Sequence, residues 1–515
     1  MKPNGPVETG FSPYKMKNIK NTAKFTLNLP SPAKRYYCHG WQSWSLTTWQ
    51  DINQQIYPPK PKILHPLQTD PCYVNEICPH GSWIGAVEMK NGKFFLLGAL
   101  GLDAHVFLEE NTLVGKYENE AGDWLVAEGS KEDVFAAYVT ALQETEFFEK
   151  TRFLRAKTPK IWCSWYSFYT HISKQNLSEI LHDLGDLPFD VFQVDDGWQR
   201  NIGDWIPNDK FSTGMDAFAA QIRRTGRTPG IWLAPFIVTP SSTLFRQHPD
   251  WLLRDEKQNL VSAGFNWDES LYALDTTIPA ALEWLSALMQ KVRAWGYDYV
   301  KLDFLYAGAL PGDRQMSMTR EQAYRQGLET MRNALGDAYL LTCGAPILPS
   351  LGLCDGIRIG PDVASHWDSH RDDVLLSNFA IPGTRNAIRT TVNRLWLKPL
   401  IHTDPDVAYF ASARNTLTDE QAQMLQDLAL VCDYKATSDN PSWLHAEECE
   451  ILETFLNAKS KSLAEVDFSD AMEIPNPNWG EKMLGHLLGW LGSIPIVMKF
   501  FRWLDEKNIQ AKLDD

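Results

Sequence analysis

The chain changes texture twice along its length, and each texture implies a different kind of element. Over residues 1–150, apolar residues come in short alternating or aromatic runs such as Lys93–Leu97 and Ala104–Leu108, with Gly, Asn and Pro between them. No long 3.6-residue period appears, so this stretch predicts antiparallel strands forming an N-terminal β-sandwich. Glu132–Tyr138 is expected to begin a linking helix. Over 151–430, short and almost wholly apolar runs alternate with amphipathic ones. Strands are predicted at Ile161–Ser164, Phe189–Val194, Thr228–Ala234, Tyr297–Phe304, Ala338–Cys343 and Gly356–Gly360. Helices are predicted at Leu177–Leu184, Ala217–Arg224, Ala280–Ala294 and Arg320–Leu335. Strands that are apolar throughout belong to a parallel sheet covered on its faces, and this β-α order fits a (β/α)8 TIM barrel. A doubly wound open sheet is the alternative. The step from Leu340 to Ile357 is too short for a full helix, and the later strands, near Arg394–Leu397 and Leu400–Thr403, are poorly marked. Over 431–515 a helix is predicted at Trp443–Asn457, then a polar Pro/Asn-rich stretch, then an apolar tail at 483–501.

A length of 515 residues implies two or three domains. The formal charge of −15 argues against a nucleic-acid binder, which needs surplus Lys and Arg. Twenty Trp residues suit both a core and stacking on sugar faces. The eight cysteines include no C-x-x-C, which leaves a zinc ribbon or a thioredoxin-type pair without support. Met1–Pro30 contains no apolar leader core, so reduced thiols in the cytoplasm are the expectation. From Met483 to Met498 there is no formal charge, with Lys482, Lys499 and Arg502 at its flanks. That run falls short of the roughly 20 residues that span a bilayer and is broken by Gly485, Gly489, Gly492 and Pro495. A docked hydrophobic segment is expected, with peripheral membrane contact or an oligomer contact as alternatives.

The polar residues at the strand ends carry the chemistry. In a barrel the C-terminal ends of the strands face the active site. Asp195 and Asp196 close one predicted strand, Lys301 and Asp303 another, Cys343 a third, and Arg358 and Asp362 a fourth. Lys301 and Asp303 are two apart and so share a face; a lysine there keeps Asp303 ionised, as a nucleophile requires. A structural ion pair is the competing reading, as a turn pair is for Asp195–Asp196 and a surface acid for Asp362. Two barrel carboxylates, one nucleophilic and one proton-donating, are the kit for retaining glycoside hydrolysis.

Several motifs run in order through residues 160–365: Trp162–Tyr169, Val194–Gln199, Gly203–Trp205, Gly230–Phe236, His248–Trp251 and Tyr299–Phe304. Together with the Cys343 and Asp362 regions they resemble the glycoside hydrolase family 36 α-galactosidases, in the clan that also holds family 27. Gly40–Trp44 resembles, more loosely, a loop of the N-terminal domain of those proteins. The resemblance implies Asp303 as nucleophile and Asp362 as general acid/base. It implies that Asp195 and Asp196 accept from the galactose 4- and 6-hydroxyls, that Lys301 binds hydroxyls and biases Asp303, and that Arg358 holds the 2-hydroxyl region. Trp162, Trp198 and Trp232 are implied pocket walls and Cys343 the floor. An α-galactoside substrate is implied, with no metal or organic cofactor. The chain departs from the family pattern at Cys343–Ile347, which lacks a longer glycine-rich stretch, in a short N-terminal domain, and in an apolar tail where the family has a C-terminal β-domain.

Competing readings remain at this level. The same acids would serve a galactosyl transferase of the raffinose-synthase kind or an α-N-acetylgalactosaminidase. His366, Asp368 and His370, or His402, Asp404 and Asp406, would serve a metal-dependent hydrolase, although neither set has a recognised spacing. A non-catalytic, membrane-attached carbohydrate binder would need neither Asp303 nor Asp362. Gly308–Gly312 lacks a P-loop lysine, and no Gly-x-Ser-x-Gly is present.

Overall fold

The computed structural model describes residues 15–54, 56, 58–60, 64–149 and 157–492. Two compact units are present: Met1–His39 with Trp49–Gln55 and Ile77–Glu149, and Gly40–Thr48 with Ile56–Glu76 and Lys150–Asp515.

In the first unit the alternating runs form two sheets. The larger has six strands in the order Lys15–Thr22, Gly122–Gly129, Phe94–Ala99, Ile84–Met89, Ala33–Cys38 and Thr48–Asp51. The smaller has four: Lys24–Asn28, Thr112–Tyr117, Ala104–Glu109 and His80–Ser82. The ladders joining Lys15–Thr22 to Gly122–Gly129 and Ala104–Glu109 to Thr112–Tyr117 are antiparallel, as the short alternating runs predict. The expected helix is Lys131–Gln143. Ser130 and Asp133 cap it reciprocally, and Val134, Phe135, Tyr138 and Leu142 are buried along it.

The second unit contains an eight-stranded parallel sheet. Its strands are β1 (Ile161–Cys163), β2 (Val191–Val194), β3 (Thr228–Leu233), β4 (Tyr299–Leu302), β5 (Tyr339–Thr342), β6 (Gly356–Arg358), β7 (His402–Asp404) and β8 (Ala436–Thr437). Their order is 7-6-5-4-3-2-1-8, the sequential order of a TIM-like domain. Beyond β7, the Ala408 N–H reaches the Ala436 carbonyl at 2.9 Å. Helices lie between most strands: α1 (Lys174–Asp183), α2 (Met215–Arg224), α3 (Pro279–Trp295), α4 (Arg320–Leu335), α5 (Thr384–Val392) and α6 (Asp419–Cys432). Ser173 and Asn176 cap α1, and Thr319 and Gln322 cap α4. Between β5 and β6 the only α-helix is the four-residue Ile347–Ser350, in keeping with the short spacing.

Two late expectations need correction. Arg394–Leu397 is no strand: Leu395–Leu397 is a 3-10 turn, and Arg394 is buried against loop carbonyls. The seventh strand is His402–Asp404, which starts two residues later than the expected Leu400–Thr403 and overlaps it at His402 and Thr403. β8, only two residues long, leaves no hydrophobic pattern to read. Near the C-terminus are α7 (Ala446–Asn457) and α8 (Trp479–Gly492). Residues 493–501 of the apolar tail lie outside the described residues. Among those described, no helix is long and apolar enough to cross a membrane.

Candidate active site

Strand alternation decides which side chains reach the centre of the parallel sheet. Lys301 on β4 lies in register with Trp232 on β3, and Gln193 on β2 with Cys163 on β1. These residues meet the acids at the strand ends. Lys301 Nζ donates to Asp195 Oδ2 at 3.1 Å and lies 4.0 Å from Asp303 Oδ2. Burial alone would push that ammonium down, but the carboxylates of Asp195 and Asp303 hold it well above its ordinary value.

Asp303 follows β4 directly. Its Oδ2 accepts the Trp232 indole N–H at 3.0 Å and its Oδ1 accepts the Phe304 backbone N–H at 2.8 Å. Phe304 takes the left-handed conformation (φ 52°), unusual for a bulky side chain and a mark of strain held by its surroundings.

Asp195 and Asp196 end β2. Asp195 accepts from Gln193 Nε2 (2.6 Å) as well as Lys301, and its own N–H reaches Ser164 Oγ at 2.9 Å. Asp196 accepts from Gln199 Nε2 (2.5 Å) and from the Trp267 indole (2.7 Å). Burial is the main cause that pushes the Asp196 carboxyl up to about 6, against those two hydrogen bonds. The chain turns at Gly197 (φ 115°), where a Cβ would sit 2.7 Å from the Thr170 carbonyl, so only glycine fits. Trp267 arrives on the hairpin between Ser262–Asn266 and Glu269–Ala273, inserted between β3 and β4.

Arg358 ends β6 and is divided among three carboxylates. Nε donates to Asp404 Oδ2 (2.8 Å), Nη1 to Asp362 Oδ1 (2.9 Å) and Nη2 to Asp406 Oδ1 (2.8 Å). Asp406 (φ 84°) also accepts the Val363 N–H at 3.0 Å and the Tyr166 hydroxyl through Oδ2. Asp362 is the half-buried member, its side chain 29% exposed, while those of Asp404 and Asp406 are 2% and 1% exposed. Burial first and Asp406 second push the Asp362 carboxyl up to about 7, against the pull of Arg358 and Lys301; Asp303 adds to the upward push. One carboxylate thus accepts two hydrogen bonds beside a cation, and another is raised to about 7. That pairing can do nucleophilic and general-acid work.

Cys343 is fully buried, its thiol pushed up first by burial and then by Asp303, so it is no nucleophile at neutral pH. Trp232 faces inward to Asp303. Trp162 and Trp198, taken from the sequence as pocket walls, sit elsewhere. Trp162 points to the other side of β1, stacks on Phe192 at 4.6 Å and gives its N–H to the Asp439 carbonyl at 3.0 Å. Trp198 is fully buried between Trp205 and Trp295, with its N–H on the Trp232 carbonyl at 2.9 Å. The segment Gly40–Ser45 lies in this unit as well, and Trp44 packs edge-on to Phe304 at 5.1 Å.

Trp267, Gln193 and Tyr166 were not singled out from sequence, and Asp406 was considered only as a metal ligand. Tyr166 lies inside a quoted motif and Asp406 inside the His402–Asp406 segment; Trp267 sits in a hairpin with no periodic signal. Among the described residues no group of three or more His, Cys, Asp or Glu could hold a metal ion, which removes the support for His366–His370 and His402–Asp406 as ligand sets.

A family model described as Melibiase matches residues 133–336. The α-galactosidase AgaA of Geobacillus stearothermophilus is 28% identical over 218 residues, which cover 40% of this chain and 28% of that curated relative's length. An α-galactosidase from Thermus thermophilus, solved in complex with p-nitrophenyl α-D-galactopyranoside, superposes with a TM-score of 0.81 at 45% identity, over 86% of this chain and 89% of that one. A substituted form of the family 36 enzyme AgaA, solved with raffinose, shares the fold with a TM-score of 0.60 at 14% identity, over 84% of this chain and 62% of that one.

Proposed function

The chain belongs to the glycoside hydrolase family 36 α-galactosidases, and from that premise we propose that it is a retaining α-galactosidase that removes terminal α-linked galactose. Asp303 attacks the anomeric carbon and forms a covalent galactosyl-enzyme while Asp362 gives its proton to the leaving oxygen. Asp362, now ionised, takes a proton from water as the water attacks the same carbon and releases galactose from Asp303. The observation that carries this reading is the difference between the two acids: Asp303 accepts hydrogen bonds from the Trp232 indole and the Phe304 N–H, while Asp362 is raised to about 7.

Asp195 and Asp196 accept the sugar's 4- and 6-hydroxyls, Lys301 donates to a hydroxyl and Arg358 holds the 2-hydroxyl side. Trp232 lines the site and Cys343 forms its floor, while Trp162 and Trp198 act from the supporting layer. The catalytic domain is a (β/α)8 barrel that begins near 151 and includes Ala436–Thr437 as its last strand, preceded by a β-sandwich and followed by a C-terminal region. The pairing of Ala436–Thr437 with β1 supports carrying the barrel past residue 430. Cys163, Cys343 and Cys432 are buried as thiols, which supports a cytoplasmic location. On α8, Trp479, Met483, Leu487 and Trp490 are exposed, which favours the two alternatives, contact with a membrane surface or a second subunit, over the docked segment that was expected.

The test is hydrolysis of p-nitrophenyl α-galactoside, α-glucoside and α-N-acetylgalactosaminide by the full chain, with and without EDTA, beside Asp303→Ala. Galactoside turnover that survives EDTA and disappears in the variant supports the proposal. A preference for the N-acetylated sugar, or transfer to an added sugar in place of release, replaces it with one of the two neighbouring activities. No turnover on any of the three removes it.

A further inference from the structure

Resting on the α-galactosidase reading above, we infer that Arg394 is a positioning residue: its guanidinium fixes the Gly40–Ser45 loop and through it holds Trp44 against Phe304, the residue that follows Asp303. Arg394 follows α5 and is completely buried. Its Nη1 donates to the carbonyls of Ser43 (2.5 Å) and Ile359 (3.1 Å), and its Nη2 to those of Gly40 (3.0 Å), Gln42 (2.9 Å) and Ser45 (3.1 Å). Four of the five acceptors lie in one six-residue segment. The planar fork matches that arc of carbonyls, which a lysine ammonium, a single point of charge, does not. The fifth acceptor, Ile359, follows Arg358, so the same cation ties the loop to the end of β6.

The loop is tied to the end of β5 too. Ser43 N–H donates to the Ala345 carbonyl and Ala345 N–H to Ser43 Oγ, both at 3.0 Å. Trp44 is thereby set against two residues that adjoin the proposed machinery. Its ring meets Phe304, next to Asp303, and a Cβ on Gly344, next to Cys343, would lie 2.8 Å from it. Gly344 itself is left-handed (φ 52°), so ring and backbone are matched at close range. The Trp44 indole N–H is buried and has no hydrogen-bond partner among the described residues, a donor left open beside the site. No carboxylate is needed for Arg394 to act: it works through the position of a ring.

The test is a double-mutant cycle on the full chain: wild type, Arg394→Lys, Trp44→Ala and the double variant, with kcat and KM for p-nitrophenyl α-galactoside and a thermal melt for each. The expected result is a fall in kcat/KM of at least tenfold for Arg394→Lys, mostly in KM. On the Trp44→Ala background, the same change costs less than twofold. Losses that multiply in full, or wild-type kinetics in Arg394→Lys, would overturn the inference. If Arg394→Lys fails to fold, Ser43→Ala loosens the same loop from its other side and is carried through the same cycle with the same two outcomes. Hydrogen exchange reports apart from activity: amides of residues 40–46 should exchange faster in Arg394→Lys, while those of β4 stay protected, and unchanged exchange at 40–46 refutes the clamp. A wild type without turnover would remove the α-galactosidase reading and leave this exchange measurement as the judge of the clamp.

Discussion

Replacing Asp406 by Asn should move the alkaline limb of the kcat/KM profile downward by about one pH unit. Arg358 is one cation shared by the carboxylates of Asp362, Asp404 and Asp406, so the cluster carries surplus negative charge. Asp406 is the neighbour that most raises the Asp362 carboxyl, after burial. Unit charges about 5–6 Å apart at an effective dielectric near 20 interact by about 3 kcal/mol. Asp362 is 29% exposed; screening by water leaves about half of that energy, which is about one pH unit. The sign follows from the role. An acid catalyst works while protonated, so a carboxyl at about 7 keeps activity up to about pH 7, and losing the Asp406 charge brings the fall to about pH 6. The freed share of Arg358 pulls in the same direction. An asparagine can still accept the Val363 N–H or the Arg358 Nη2–H through its carbonyl, so the loop is kept. The assay is kcat/KM against pH on a galactoside with a poor leaving group, with an activated aryl galactoside as control. A limb that stays in place or moves upward refutes the charge argument.

Asp362→Ala should slow unactivated galactosides by at least about 100-fold and activated aryl galactosides much less, because a good leaving group needs little protonation; equal losses on both would remove Asp362 from the acid role. Trp232→Phe removes one of the two hydrogen bonds to the Asp303 carboxylate and should lower kcat by roughly 10- to 100-fold with little change in KM, in line with the about 1.5–3 kcal/mol of a hydrogen bond to a charged group. An unchanged kcat would mean that the bond is made in the free enzyme alone. Trp267→Phe releases one oxygen of Asp196 and should raise KM for galactosides several-fold at constant melting temperature; a drop in melting temperature with unchanged KM would make Trp267 a packing residue.

Legibility followed burial. β2, β4 and β5 were readable because a strand covered on both faces is apolar throughout, and the polar residue that breaks the run marks its end. Asp195, Asp196, Lys301, Asp303, Arg358 and Asp362 were found in that way. β7 and β8 gave no such signal, since His402–Asp404 is polar for the sake of Arg358 and Ala436–Thr437 is too short to carry a period. The aromatic residues misled for a related reason. An indole in a motif looks the same whether it faces a ligand or a helix, and only the register of β1 with β2 turns Trp162 outward onto Phe192.

Sequence alone determined the class of fold and the family and placed acids at the strand ends, because local pattern and residue type suffice where one kind of side chain recurs at one kind of position. Tertiary structure decided the rest. Asp406 takes part in setting the proton on Asp362 from 44 positions away, Trp267 reaches Asp196 from a hairpin, and Arg394 grips carbonyls some 350 residues earlier in the chain. A carbonyl has no residue type to be recognised by, and a charge acts through space and not along the chain. Those partners therefore leave no trace in a one-dimensional pattern until folding brings them together.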